Sequence, residues 1–238
     1  MGQFQCSRPI LSQGRLGIAP SRSNLGQFSW RSLLRLPYKF RVPAPRKYTF
    51  AHAVEVSSPL IAVMSLIKLT ELLLGLSFAG FGILPRDPQG AIGIFTAPLL
   101  HGSLAHLFAN VGPLFVLLVL LFWDRTYHPV RTLTMIWLAG GVGTWLIGRN
   151  QAPDGSPTPH IGASSLIFGL VAYLVLAGFL ARRWRTFFVA LLVFLVFGGI
   201  YVGVLPQDGP ISWEGHLSGA VAGVVAAVNN HGQKRGRR

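Results

Sequence analysis

Long apolar runs, rather than amphipathic stripes, set the pattern of this chain. Six blocks, near residues 59–83, 99–122, 131–148, 161–181, 187–205 and 214–230, carry very few charged side chains. Each approaches the roughly 20 residues that a helix needs to cross a bilayer. A helix that is apolar all round is either a membrane span or deeply buried. The third block is short and rich in Gly, and the sixth, EGHLSGAVAGVVAAVNN, is only weakly hydrophobic. The pattern predicts an all-α membrane protein, a bundle of six transmembrane helices over residues 59–230. It leaves residues 1–58 as a basic cytoplasmic tail and residues 231–238 as a second one.

Composition supports this class. The chain is 51% hydrophobic and 12% charged, with a mean hydropathy of +0.49, whereas about a quarter of a soluble domain is charged. The single cysteine, Cys6, excludes an internal disulfide and a Cys-based zinc site. No metal or other cofactor is expected.

The formal net charge of +14 changes meaning once the charges are placed. With the N-terminus inside, eighteen of the 21 Lys and Arg fall in the tails and the inner loops. The outer loops hold only Arg86 and Arg149, and Lys68 lies within the first span. This asymmetry obeys the positive-inside rule and predicts six spans with both termini cytoplasmic. The basic charge is therefore a topology signal, with attraction to the anionic headgroups of the lipid bilayer as a second consequence, and nucleic acid is not an expected partner. Residues 1–50 contain no Asp or Glu and read as a flexible tail. An Arg- and Ser-rich leader of this kind also fits a mitochondrial presequence.

Polar side chains inside spans are costly and mark candidate sites. Lys68 and Glu71 are three apart on the first span and form a predicted ion pair. His101, His106 and Asn110 begin the second span in the stretch HGSLAHLFAN. His106 and Asn110, four apart, share a helix face. A zinc pair made of the two histidines lacks a neighbouring carboxylate or Cys. Gly162, Ser164, Ser165 and Gly169 open the fourth span, and His216, Gly219 and Gly223 open the sixth. Taken singly, each group fits helix packing. Spans two, four and six, however, all enter from the same side, so His106, Asn110, Ser164 and His216 share one depth. A hydroxyl, an imidazole and side-chain donors at one depth are the parts of an acyl-transfer site.

With these residues in place the sequence resembles the rhomboid intramembrane serine proteases over about residues 59–230. The resemblance rests on His101, His106 and Asn110; on Gly162-Ala163-Ser164; and on His216, Gly219 and Gly223. It implies a six-helix rhomboid-like bundle in which Ser164 is the nucleophile and His216 its general base. The Ser164 N–H and the side chains of His106 and Asn110 would form the oxyanion hole. His101 would support that region, and Phe168 would pack beside His216. The implied substrates are single-pass membrane proteins. Two features depart from the family: Ser165 stands where Gly usually follows the nucleophile, and the Trp-Arg pair often found between the first two spans is absent. The Ser165 hydroxyl is expected to bond back to a carbonyl of the preceding turn. The rival readings are an inactive homologue that binds membrane clients and a transporter using the histidines and the Lys68–Glu71 pair.

Overall fold

Thr49 starts the first long helix. Its hydroxyl accepts a hydrogen bond from the His52 N–H at 3.1 Å, satisfying one of the donors a helix start leaves unpaired. The structure is a computed structural model that describes residues 48–151, 155, 157–207 and 211–232. Residues 1–47, on which the flexible-tail and presequence readings fall, and residues 233–238 lie outside the described residues.

Six helices of 14 residues or more make up the fold among the described residues. They are α1 (Phe50–Leu74), α2 (Leu104–Trp123), α3 (Pro129–Ile147), α4 (Ser164–Leu180), α5 (Trp184–Phe197) and α6 (Trp213–His231). The first differs most from expectation. Residues 50–58, read as tail, are the opening turns of α1, with Pro59 inside the helix. His52, Glu55 and two serines dilute the hydropathy there, but the Thr49 cap decides where the helix begins. At the other end Gly75 takes the left-handed conformation, φ 64°, and closes α1 nine residues before the expected limit. Residues 76–103 then wind through the short turns Ala79–Phe81, Gln89–Ile92, Gly93–Thr96 and Ala97–Leu99.

The other helix starts follow equally local rules. Ser103 caps α2 by accepting from the His106 N–H, Pro129 occupies the first turn of α3, and Ser212 caps α6 by accepting from Gly215 N. Helix α5 continues as a 3₁₀ segment, Gly198–Val204.

Helix α4 is the centre of the bundle. It packs against α2, α3, α5 and α6, while α1 packs on α2. Leu166, Leu170 and Leu174 of α4 are fully buried, together with Leu114 and Leu117 of α2 and Ile136 of α3. The tightest seam joins α4 to α6. A Cβ at Gly219 would stand 2.0 Å from Ser165 O, and one at Gly223 2.0 Å from Gly169 O. The G-x-x-x-G spacing thus brings backbone onto backbone.

Outward faces are apolar. Leu66, Leu69 and Leu73 of α1 and Phe188, Leu192 and Leu195 of α5 are exposed. Water does not favour such a surface, but lipid does. Four helical stretches are long and apolar enough on their own to cross a bilayer: Phe50–Leu74, Leu104–Trp123, Arg125–Ile147 and Trp184–Val204. Helix α4 is apolar but has 17 residues, and α6 is diluted by Gly, Ser, Asn and His. These two helices are the most enclosed by protein, so their composition answers to helix neighbours rather than to lipid.

Candidate active site

The segment before α4 is held from two sides. Ile83 and His160 exchange backbone hydrogen bonds at 3.0 and 2.9 Å, and Gly162 N donates to Ala97 O at 2.9 Å. Gly162 has φ 110°, and a Cβ there would stand 2.6 Å from His106 Nε2. Backbone conformation and space both require glycine at this position. The ring of His106 consequently lies against the chain two residues before Ser164.

Ser164 is the first residue of α4. The residue before it, Ala163, supplies no side-chain cap, and the first backbone bond is Ile167 N to Ala163 O. The N–H groups of Ser164, Ser165 and Leu166 therefore have no partner within the helix. The Ser164 hydroxyl is half-buried and makes no hydrogen bond among the described residues.

His216 lies in the first turn of α6 and is buried. Its Nδ1 is 2.9 Å from Gly203 O. A carbonyl can only accept, so Nδ1 carries the proton and Nε2 of the neutral ring keeps its lone pair. The ring stacks on Phe168 with centroids 4.0 Å apart and planes 8° apart. Phe168 lies one turn after Ser164 on the same face of α4, which brings the hydroxyl's face of α4 to His216. Gly203 was not among the residues predicted from sequence. A Cβ there would be 2.8 Å from Phe168 Cζ, so the site needs its carbonyl and has no room for a side chain. The only sequence signal is a glycine at the end of an apolar run.

His101, His106 and Asn110 are brought together with this pair. The two imidazoles meet edge to face, with centroids 5.1 Å apart. Asn110, buried, donates one amide hydrogen to His106 O at 2.7 Å, which leaves its second N–H unused by that bond. Lys68 and Glu71 form the expected ion pair at 3.0 Å. They also do more than balance each other: Lys68 Nζ donates to Gly102 O at 3.2 Å, and Glu71 Oε1 accepts from Phe78 N at 2.6 Å. The pair thus fastens the turn that carries His101 to α1. Among the described residues, no group of three His, Cys, Asp or Glu is arranged to hold a metal ion.

Ser165 faces elsewhere. Its Oγ is 3.0 Å from where a Cβ on Gly140 of α3 would stand. It makes no bond to a carbonyl of the preceding turn; the hydroxyl is used instead as filler against α3. A cavity of about 20 Å³, lined in part by Ser164, Ser165, Thr144, His160 and Ser212, adjoins it and has room for about one water.

A family model described as the Rhomboid domain matches residues 88–232, more than half of the chain. The chain belongs to the rhomboid family. The match takes in every predicted site residue and leaves α1 outside. With its apolar outer faces and four helices fit to span a bilayer, this rhomboid is a multi-pass membrane protein. It is 45% identical over 170 residues to an uncharacterized protein of Mycobacterium tuberculosis, covering 70% of both chains. An uncharacterized protein of Mycobacterium leprae is 39% identical over 171 residues, 70% of this chain and 67% of that one. A protein of Arabidopsis thaliana called inactive RHOMBOID-like protein 8 is 31% identical over 97 residues, 40% of this chain and 24% of that one.

Proposed function

We propose that this rhomboid is an intramembrane serine endopeptidase with Ser164 as nucleophile and His216 as general base. The observation that supports it most is the state of His216. Gly203 O accepts a hydrogen bond from Nδ1–H and Phe168 holds the ring plane, so the basic nitrogen is fixed and open. In the reaction, Ser164 Oγ attacks the scissile carbonyl and passes its proton to Nε2. The N–H of Ser164, the His106 ring and the Asn110 amide hold the developing oxyanion, each donor contributing about 3 kcal/mol of transition-state stabilisation. His216 then gives the proton to the leaving amine, and a water releases the acyl group by the same steps. Two groups act here without a third carboxylate.

The substrates are single-pass membrane proteins. A transmembrane helix pairs its own backbone groups, so a substrate must unwind locally before its carbonyl can reach Ser164. The proposed placement has six spans in the plasma membrane, with both termini cytoplasmic. A reporter fused after Arg238 that is active only outside the cell would reject that orientation.

An inactive, client-binding rhomboid is the second reading. It is favoured by Ser165 in the usual glycine position. Labelling with a fluorophosphonate probe separates the two. The protease reading expects covalent labelling that Ser164→Ala removes; an unlabelled parent that still binds membrane clients establishes the inactive reading.

A further inference from the structure

The two proposed reacting side chains sit on different segments, and one polar cluster beside the site joins those segments. Glu214, two residues before His216, is 1% exposed in its side chain. Its Oε1 accepts from Arg149 Nε at 2.6 Å and from the Arg149 N–H at 3.3 Å. The same guanidinium donates to Ile211 O at 2.8 Å. The carbonyl of Arg149 in turn accepts from His160 Nε2 at 2.7 Å. The other ring nitrogen, Nδ1, meets Ser212 Oγ, and Ser212 Oγ accepts from Gly215 N at 3.2 Å.

From Gly215 to Arg149 the donors and acceptors are consistent, while Glu214 Oε2 is buried without a partner among the described residues. Gly215 N–H donates to the Ser212 hydroxyl, the hydroxyl donates to His160 Nδ1, and His160 Nε2–H donates to Arg149 O. A neutral His160 is thereby satisfied at both nitrogens. His160 lies four residues before Ser164, and its own backbone is pinned to Ile83. Ser212 and Glu214 form the cap and first turn of α6, from which His216 projects. A surface ion pair would add little, but here the carboxylate is fully enclosed and its partner uses a side-chain N–H and a backbone N–H of one residue.

We infer that Arg149, His160, Ser212 and Glu214 form a clasp that sets the placement of His216 relative to Ser164, acting as positioning residues for the proposed dyad. No member needs to touch substrate. The clasp acts by fixing the rotation of the first turn of α6 against the segment that delivers the nucleophile. The inference rests on the protease reading. A displacement of about 1 Å at reacting groups can cost about a hundredfold in rate, so small slack in the clasp has a measurable effect.

The test uses the full-length chain in liposomes. The rate of fluorophosphonate labelling is measured beside kcat and KM on a model transmembrane substrate and beside thermal unfolding. Glu214→Ala, His160→Ala and Arg149→Ala are each expected to lower the labelling rate and kcat about tenfold to a hundredfold, with KM changed by less than about twofold. Arg149→Lys should restore part of the loss, because it keeps the charge but not the forked donors. Asn230→Ala, at the opposite end of α6, supplies a destabilised comparison and should label at the parent's rate. If Glu214→Ala does not fold, the isosteric Glu214→Gln carries the same expectation with a smaller loss. Parent-like labelling by the folded clasp variants would overturn the inference alone. So would an equal loss in Asn230→Ala, since the clasp would then act only through stability. An unlabelled parent would overturn the protease reading and this inference together.

Discussion

Helix α6 ends in buried polar clusters at both termini, and they are built differently. At the far end Asn230 Nδ2 donates to Thr132 Oγ1 at 2.8 Å and to Tyr173 OH at 3.3 Å. Thr132 Oγ1 and Tyr173 OH both donate to Tyr127 O, at 2.7 and 2.6 Å. Tyr173 OH also lies 3.3 Å from His231 Nε2. These donors are spent on protein partners and tie α3, α4 and α6 together, while the acceptor Asn230 Oδ1 is left buried without a partner among the described residues. At the other end His216 spends Nδ1 and keeps Nε2, the Ser164 hydroxyl is unbonded, and the first N–H groups of α4 have no helical partner. Burial of polar groups alone does not separate a structural cluster from a chemical one. The difference lies in which donors and acceptors are left open and whether they converge.

The largest expected contrast is between adjacent serines at the open end. Ser164→Ala should abolish cleavage of a model transmembrane substrate and probe labelling, while Ser165→Gly leaves both intact, because Ser165 Oγ faces Gly140 rather than His216. Cleavage by Ser164→Ala, or a dead Ser165→Ala, would reassign the nucleophile. Next, Asn110→Ala should reduce turnover by about two orders of magnitude, the typical loss for one oxyanion donor, with folding retained. Unchanged turnover removes Asn110 from the oxyanion hole.

The far end should respond in the opposite sense. Asn230→Ala removes the donor to Thr132 Oγ1 and Tyr173 OH, which keep their bonds to Tyr127 O, and should lower unfolding stability by about 0.5–1.5 kcal/mol, with turnover per folded molecule unchanged. Equilibrium unfolding in detergent, read beside the labelling rate, checks both halves. A loss of turnover there would dissolve the contrast between the two ends.

The smallest effect concerns pH. His160 lies outside the helices, and burial lowers its pKa from the ordinary 6.5, against the raising influence of its bond to Arg149 O and of Glu214; Arg149 and Arg86 lower it further. The folded state therefore resists a proton that the unfolded chain accepts. Stability contributed in this way is fully present above about pH 6.5 and falls as the pH drops below it toward the lowered folded value. Unfolding measured from about pH 8 to about pH 5 should show this slope in the parent and a shallower one in His160→Gln. A slope undiminished by the substitution assigns it to other groups.

Several features were legible in local patterns because their causes are local. Apolar runs announced a membrane bundle, three-residue spacing announced the Lys68–Glu71 pair, and Gly219 and Gly223 announced the seam that α6 makes with α4. The limits of α1 were not, because hydropathy averages over a window while a helix boundary is set by single residues, Thr49 at one end and Gly75 at the other. Helices α4 and α6 also fall short as independent spans, since their neighbours rather than lipid surround them.

The sequence by itself named the candidate side chains and placed Ser164, His216, His106 and Asn110 at the starts of three helices. Only the tertiary structure decided which atoms of those side chains are open. The tautomer of His216 depends on Gly203 O, 13 residues away across the break before α6. The fixing of its helix depends on Arg149 meeting Glu214 across 65 residues. Periodicity reports the face a residue occupies on its own helix. A hydrogen bond between segments depends on where the chain returns, and that is set by the packing of the whole bundle.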